Sequence, residues 1–288
     1  MRDFVLMTDS CCDLTDYMAN ELALEVLPLT VHMADKDYPN YLDGRALSRE
    51  AFYHMLRNGT LGTTSAVNIG AFEEAMSRVL SQGKDIVCVC FSGALSTTYQ
   101  SAVIAARDLI SEYPDSRIYV IDSLSASLGQ GLLLYLAAEE KRQGKSVDQV
   151  AEFIENTKSQ ICHWITVDDL HYLKMGGRVS AATALLGTML SVKPVLHLDD
   201  TGHLLPVTKC RGRKAALKEL LDSMEGNLQK GAPVFIAHAD CETEARLLAE
   251  DLRSRYGVKT VFTNYVGPVV GSHTGPNAIG LFYLGRKR

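Results

Sequence analysis

The first 160 residues of the chain alternate short apolar runs with segments of helical periodicity. Apolar runs at 4–7, 86–91 and 118–121 each end in polar residues, and a helical pattern follows each of them. The run at 86–91 is apolar throughout, as is typical of a parallel strand that is covered on both faces. Between Phe72 and Leu80 the apolar residues recur at helical spacing. This order of strands and helices predicts a parallel sheet with helices on both faces.

The segment after the first apolar run carries three more local predictions. Asp13 is interpreted as the N-cap of a helix that begins at Leu14. Residues 23–33 are rich in Leu and Val and are broken by Pro28, which indicates a strand that leads into irregular chain. Residues 34–47 have the composition of turns and are interpreted as an irregular excursion from the sheet.

The second half of the chain shows a different pattern. Residues 195–198 and 204–207 flank the turn sequence at 199–202, which predicts a β-hairpin. Residues 181–190 are predicted to form a small apolar helix. Further periodicities predict strands and helices at 164–167, 217–228, 234–237, 242–256 and 258–265. A hairpin beside α/β units indicates a mixed sheet, so we expect an N-terminal parallel-sheet α/β/α domain over 1–160 and a C-terminal mixed-sheet α/β domain over 161–288.

Composition and charge narrow the class of protein. Apolar residues make up 47% of the chain and charged residues 22%, which excludes a disordered or fibrous protein. The net charge of −5 argues against a nucleic-acid-binding surface, because phosphate neutralisation needs an excess of basic residues. No apolar run approaches the roughly 18 residues of a membrane span, and the run at 4–7 is too short for a signal peptide. We expect a cytoplasmic protein whose seven cysteines are unpaired.

The candidate chemistry lies in hydroxyl groups at the ends of predicted strands. Ser10, Ser92 and Ser123 each follow an apolar run, and the carboxyl ends of parallel strands are where ligands bind in open sheets. One interpretation is that these residues are caps and turns. The other is a binding site for a monoanion such as a carboxylate. Catalysis is less favoured, because no histidine or carboxylate is obviously placed to activate Ser92 or Ser96.

At these residues the sequence resembles the DegV family of bacterial lipid-binding proteins. The shared motifs occur in family order across nearly the whole chain. They are Thr8-Asp9-Ser10, Thr64-Ser65, residues 91–102 (FSGALSTTYQSA), Asp122-Ser123, residues 173–178 (LKMGGR), Lys193-Pro194 and residues 270–276 (VGSHTGP). The last of these is the most specific.

The resemblance implies that a long-chain fatty acid is held between two α/β domains and is presented to a separate, ATP-dependent fatty acid kinase. The kinase would then form acyl phosphate for phospholipid synthesis. The head-group site is implied at Thr64, Ser65, Ser92, Gly93, Ser96 and His273, with Arg178 and His273 also implied in kinase docking or phosphate contact. We expect no metal and no cofactor other than the bound fatty acid, and peripheral membrane contact stays open.

Several positions depart from the family pattern, and two further function classes stay open. Gly93 and Thr97 replace a serine and a glycine of the family loop, although the N–H of Gly93 is retained. An acyl hydrolase would use Ser92 or Ser96 with His273, and a small-molecule sensor would regulate a partner. A purely structural alternative pairs Arg178 with an acid such as Asp168. Four apolar side chains could either line a tunnel for the acyl chain or belong to the hydrophobic core. They are Leu185, Leu186, Met189 and Leu190.

Overall fold

The computed structural model of the chain describes residues 2–179 and 192–288. The predicted helix at 181–190, with its four candidate wall residues, lies outside the described residues. The strands are β1 (Phe4–Asp9), β2 (Leu24–Leu27), β3 (Thr30–Met33), β4 (Lys36–Pro39), β5 (Thr63–Ser65), β6 (Asp85–Cys90), β7 (Ile118–Asp122), β8 (Ile161–Thr166), β9 (Val192–Leu198), β10 (Leu204–Arg211), β11 (Val234–His238), β12 (Val261–Tyr265) and β13 (Ile279–Leu284). The helices are α1 (Asp16–Glu21), α2 (Arg49–Arg57), α3 (Ile69–Leu80), α4 (Thr98–Leu109), α5 (Leu128–Arg142), α6 (Val147–Thr157), α7 (His171–Met175), α8 (Arg213–Asp222), α9 (Glu242–Tyr256) and α10 (Pro268–Thr274).

The first half folds around a four-stranded parallel sheet in the order β2-β1-β6-β7, which confirms the predicted α/β class. Strand β6 is buried along its whole length, and helices α3, α4 and α6 pack against it. Its unbroken apolar run is the sequence signature of that burial. Because the strands are parallel, their carboxyl ends lie along one edge of the sheet.

The second half contains a six-stranded mixed sheet in the order β10-β9-β8-β13-β11-β12. The predicted hairpin is present as the antiparallel pair β9 and β10, and β11 pairs with β12 in parallel. Strand β13 was not predicted, although it is buried and lies between β8 and β11. Helix α5 packs against β8, β11 and β13 of this sheet. Gln130 and Lys141 of α5 also donate hydrogen bonds to Thr8 and Phe4 of β1, so the helix lies between the two large sheets. The strands divide between the halves as the predicted boundary at residue 160 requires, and the boundary itself stays a prediction.

The interpretation of residues 34–47 as wholly irregular is wrong, because part of this segment forms a third sheet in the order β4-β3-β5. Strands β3 and β4 are joined by Ala34 and Asp35, which both have positive φ angles, of 49° and 58°. Two such residues make a hairpin turn that usually carries Asn or Gly. The unusual turn residues explain why the hairpin gave no sequence signal.

The interpretation of Asp13 as an N-cap is also wrong. Helix α1 is capped by Thr15, whose hydroxyl accepts the N–H of Met18. Asp13 instead has a left-handed backbone with a φ of 50° and a buried carboxylate. That carboxylate accepts hydrogen bonds from the Ser127 hydroxyl at 2.5 Å and the Gly267 N–H at 3.0 Å. Asp13 therefore links the first domain to the start of α10.

Candidate ligand-binding cavity

A cavity of about 440 Å³ lies between the carboxyl edge of the parallel sheet and the six-stranded sheet. Most of its wall is apolar and comes from both halves of the chain. Representative wall residues are Leu29, Phe91, Leu95, Leu196, Val266 and Phe282. The volume falls in the range of about 300–1,000 Å³ that is typical of small-molecule sites. An apolar wall of this kind suits a hydrocarbon.

A smaller part of the wall is polar, and its residues are Thr64, Ser96, Thr97, Ser127, Arg178, His273 and Thr274. We call the group of Thr64, Ser96, Arg178 and His273 the polar end. They come from β5, from the loop before α4, from the chain after α7 and from α10. Four segments that are distant in the sequence therefore meet at one end of the cavity. In the sequence analysis all four were predicted to be site residues.

His273 is the most constrained residue of the polar end. Its Nε2 lies 2.8 Å from the Thr64 hydroxyl, and its ring lies directly on the backbone of Gly176, where a Cβ would come within 2.2 Å of Nδ1. Nδ1 is buried and has no hydrogen-bond partner among residues 2–179 and 192–288. Burial, followed by the charge of Arg178, lowers the pKa of His273 from 6.5 to about 4. The ring is consequently neutral at neutral pH.

The glycines on either side of His273 have a packing role. A Cβ at Gly271 would lie 2.7 Å from the Phe52 ring, and one at Gly275 would lie 2.4 Å from the Tyr172 ring. Gly275 also has a φ of 72°, which side chains rarely adopt. The G-x-H-x-G spacing thus allows a short helix to approach two aromatic surfaces while it holds the histidine at the cavity.

Among the described residues, Arg178 makes hydrogen bonds only to carbonyl groups. Its Nε donates to the Leu95 carbonyl at 3.2 Å, and its Nη1 donates to the carbonyl of Gly176. Within the described ranges no carboxylate pairs with it, so its positive charge is not neutralised locally. The alternative pairing with Asp168 is wrong, because Asp168 instead pairs with Lys193 at 2.7 Å.

Ser92 and Gly93 use their polar groups within the protein. The Ser92 hydroxyl is buried and donates to the Gly202 carbonyl at 2.9 Å. Gly93 borders the cavity, but its N–H donates to the Asp122 carboxylate, 3.1 Å from each oxygen. A Cβ at position 93 would lie 2.7 Å from that carboxylate, so the family serine would not fit here without movement.

Ser65 and Ser96 differ in the direction that they face. Ser96 lines the cavity, where its hydroxyl lies 2.9 Å from that of Thr98 at the start of α4. Successive residues of a strand face opposite sides, so Ser65 faces away from the cavity when Thr64 faces it. The Ser65 hydroxyl lies 2.5 Å from Nε2 of His32 on the outer face of the small sheet. The ligand contacts of all these residues stay predictions.

The structure also bears on the other function classes. His273 bonds to Thr64, and in the described part of the chain it bonds to neither Ser92 nor Ser96. The serine hydrolase alternative therefore lacks its nucleophile–base contact at this site. No group of three or more potential metal ligands occurs among the described residues. None of the helices described is both long and apolar enough to cross a membrane.

Three polar residues of the wall, Thr97, Ser127 and Thr274, were not predicted to be site residues. Ser127 lines the cavity with a φ of 53° and a ψ of −140°, which is a strained conformation for a serine. Its hydroxyl bonds to Asp13, and this contact holds the backbone in place. No residue pattern near Ser127 indicates this geometry, because it depends on a contact across 114 residues.

These features define a class of protein: two α/β domains that enclose an apolar cavity with one cationic, hydroxyl-bearing end. Residues 3–286 match the family model described as an uncharacterised protein of the DegV family. The chain belongs to the DegV family.

Proteins of known sequence or structure are similar to this chain over nearly its whole length. A DegV domain-containing protein of Clostridium perfringens is 42% identical over 287 residues, which covers 99% of this chain and 98% of the relative. The solved structure of a DegV family protein from Thermus thermophilus, described as showing fatty acid binding, superposes with a TM-score of 0.89 at 29% identity and covers 99% of this chain and 100% of its own. DegV from Bacillus subtilis, described as a fatty acid binding protein, has a TM-score of 0.85 at 30% identity, with 99% and 100% coverage.

Proposed function

We propose that this protein binds one long-chain fatty acid, with the acyl chain along the apolar wall and the carboxylate at the polar end. The observation that carries the proposal is the cavity itself, in which an apolar wall from both domains ends at an unneutralised guanidinium and two hydroxyls. The fatty acids bound by the structures from Thermus thermophilus and Bacillus subtilis support the same ligand class.

The two parts of the cavity would contribute differently to affinity. Burial of hydrocarbon stabilises a complex by about 0.8 kcal/mol per methylene, so a long chain contributes on the order of 10 kcal/mol before ordering costs. A hydrogen bond to a charged group contributes about 1.5–3 kcal/mol. The acyl chain would therefore set the affinity, and the polar end would set the orientation.

At the polar end, the Thr64 and Ser96 hydroxyls would donate to the carboxylate. Arg178 supplies the compensating charge, and the neutral ring of His273 positions the Thr64 hydroxyl through their 2.8 Å hydrogen bond. Ser92 would act indirectly, because its bond to Gly202 fixes the β9–β10 turn against the loop that carries Ser96. The Ser65 hydroxyl lies on the opposite face of β5 from the cavity, where it contacts His32, so Ser65 is not assigned a contact with the ligand.

We further propose that the bound acyl group is presented to a separate, ATP-dependent fatty acid kinase. A free carboxylate needs only the hydroxyls and one charge, whereas an acyl phosphate carries more negative oxygen. Arg178 can bind phosphate oxygens through its fork of N–H donors, and His273 can donate to them. A cytoplasmic location and peripheral contact with membranes stay predictions.

The ligand proposal is tested by native mass spectrometry of the protein purified from its bacterial host, followed by organic extraction. We expect close to one equivalent of a free fatty acid. A cavity that yields only a nucleotide, or no lipid after incubation with a labelled long-chain fatty acid, would contradict the proposal.

The kinase proposal is tested separately with Arg178→Ala, His273→Ala and the matched variant Arg213→Ala. Arg213 is an arginine of the second domain that pairs with Glu244 and does not line the cavity. We expect the first two variants to bind fatty acid on the order of 10-fold more weakly but still to be saturated by it, because the acyl chain sets the affinity. At saturation they should lose most acyl-phosphate formation with the cognate kinase. An unchanged yield of acyl phosphate in both would remove these residues from the functional set.

A further inference from the structure

Three side chains on the outer face of the small sheet form one continuous hydrogen-bonded chain. The Ser65 hydroxyl lies 2.5 Å from Nε2 of His32, and Nδ1 of His32 lies 2.6 Å from a carboxylate oxygen of Asp37. His32 is on the central strand β3, directly opposite Asp37 on β4, and Ser65 is on the other neighbouring strand, β5. The order is acid, imidazole, hydroxyl.

This order is that of an activated serine. A carboxylate at Nδ1 holds the proton on that nitrogen, so Nε2 is free to accept the proton of the serine hydroxyl. A serine alone is a weak nucleophile, and an adjacent base in hydrogen-bond contact is what activates it. Both contacts are direct hydrogen bonds, at 2.5 Å and 2.6 Å, at or just below the short end of the range of about 2.6–3.2 Å over which a general base acts.

The group is open to solvent and is separate from the cavity. Ser65 is exposed, and the side chains of His32 and Asp37 are 35% and 74% exposed. Thr64, which precedes Ser65, faces the cavity on the other side of the strand. The N–H of Ala66, directly after Ser65, has no hydrogen-bond partner within the described residues. In α/β-hydrolases the N–H of the residue after the nucleophile donates to the oxyanion.

We propose that Ser65 is a nucleophile that accepts an acyl group from activated esters in solution. The Ser65 oxygen bonds to the ester carbonyl carbon, and its proton passes to Nε2 of His32. The bond from that carbon to the ester oxygen then breaks, and the leaving alcohol or phenol takes up the proton from His32. The products are an acyl-serine and the free alcohol. The open position of the group suits short acyl chains that need no pocket.

The experiment uses the full chain with p-nitrophenyl acetate and with a fluorophosphonate probe, which loses fluoride when serine attacks its phosphorus. Peptide mapping by mass spectrometry then locates the adduct. We expect one acetyl or phosphonyl adduct, on Ser65, and none in Ser65→Ala. Removal of the base in His32→Gln should slow labelling on the order of 10²-fold, and Asp37→Asn should slow it less.

The matched control is Thr63→Ala, which removes a hydroxyl from the same strand and the same face, opposite His32. This variant should label at the rate of the unmodified protein. Labelling of Ser65 no faster than that of other exposed serines, or a rate unchanged in His32→Gln, would overturn the proposal. Fatty acid retention is measured in parallel and should be unaffected in Ser65→Ala, so this inference and the proposed function fail independently.

Discussion

The carboxyl edge of the parallel sheet and the polar end of the cavity are both rich in hydroxyl groups, but only one of them leaves those groups facing the cavity. At the edge, the Thr8 hydroxyl donates to the Val89 carbonyl at 2.7 Å and accepts from Gln130 at 2.9 Å. The Ser92 hydroxyl is likewise bound to the Gly202 carbonyl. These buried groups are satisfied inside the protein, as most buried polar groups are.

At the polar end, the hydroxyls of Thr64 and Ser96 line the cavity beside Arg178. Their partners are other side chains that also border it or begin a helix, and not the backbone of a neighbouring strand. The comparison shows that residue type and a position after a strand do not distinguish a binding hydroxyl from a structural one. What distinguishes them is the partner of the hydroxyl. A structural hydroxyl donates to a backbone carbonyl inside the protein, whereas a binding hydroxyl lines the cavity.

The largest effect on stability that we expect is a pH dependence of the free energy of unfolding that Asp13 causes. Burial raises its pKa from 3.8 to about 7, so the folded state binds a proton that the unfolded state has lost between those values. Its contribution to stability is therefore greatest near pH 4 and is lost as the pH rises toward 7, on the order of 1 kcal/mol per pH unit. Chemical denaturation from pH 4.5 to 7.5 measures this slope.

The matched variant Asp13→Asn separates the pH dependence of Asp13 from that of other titrating groups. Burial also raises the pKa of Asp9, to about 6, which adds a slope of the same sign. The lowered pKa of His273 has the opposite sign, because stability is lost as the pH falls from 6.5 toward 4. Relative to the unmodified protein, Asp13→Asn should become progressively more stable as the pH rises. A difference that stays constant with pH would contradict this account.

A second large effect is expected for Gly202→Ala, which tests the contact between the turn and Ser92. The residue has a φ of 80°, and a Cβ there would lie 2.2 Å from the Ser92 hydroxyl oxygen. Strain in the left-handed region and overpacking together should lower the free energy of unfolding by about 2–4 kcal/mol. Gly231→Ala, at a φ of 85° with open space around it, is the control and should cost about 1–2 kcal/mol. Equal losses would mean that the close contact is unimportant.

A moderate effect is expected for Thr8→Val, which removes a structural hydroxyl and preserves shape. The change leaves the Val89 carbonyl and the Gln130 amide with one partner fewer, at a cost of about 1–3 kcal/mol in the free energy of unfolding. Fatty acid retention should not change. Thermal melts and exchange of a labelled fatty acid give the two readings, and a loss of retention without a loss of stability would place Thr8 in the site.

The smallest effect on stability is expected for Thr64→Val, the same substitution at the polar end. The cavity lets water or ligand reach the Nε2 that loses its partner, so the free energy of unfolding should change by less than about 0.5 kcal/mol. Loss of one donor to the carboxylate should weaken fatty acid binding on the order of 10-fold. Retention at the level of the unmodified protein would mean that Thr64 only positions His273.

Much of the fold followed from local pattern. The buried run of β6 and the helix α9, whose predicted bounds match the observed Glu242–Tyr256, are elements whose apolar spacing is unambiguous. Strand β13 carries an equally apolar run, but it directly follows the glycine-rich motif around His273, and no separate element was predicted after that motif. The third sheet gave no signal, because its turn has Ala34 and Asp35 in place of the usual glycine or asparagine.

The sequence by itself determined the family, the two α/β domains and the residue types of the polar end, because motifs and periodicity are local properties. Only the tertiary structure decided which hydroxyls face the cavity. Thr64 and Ser65 are adjacent in the chain, yet one contacts His273 across 209 residues and the other contacts His32 on the opposite face. Successive side chains of β5 point to opposite faces, and α10 packs against one of those faces. The two residues Thr64 and Ser65 do not themselves specify which face α10 will cover.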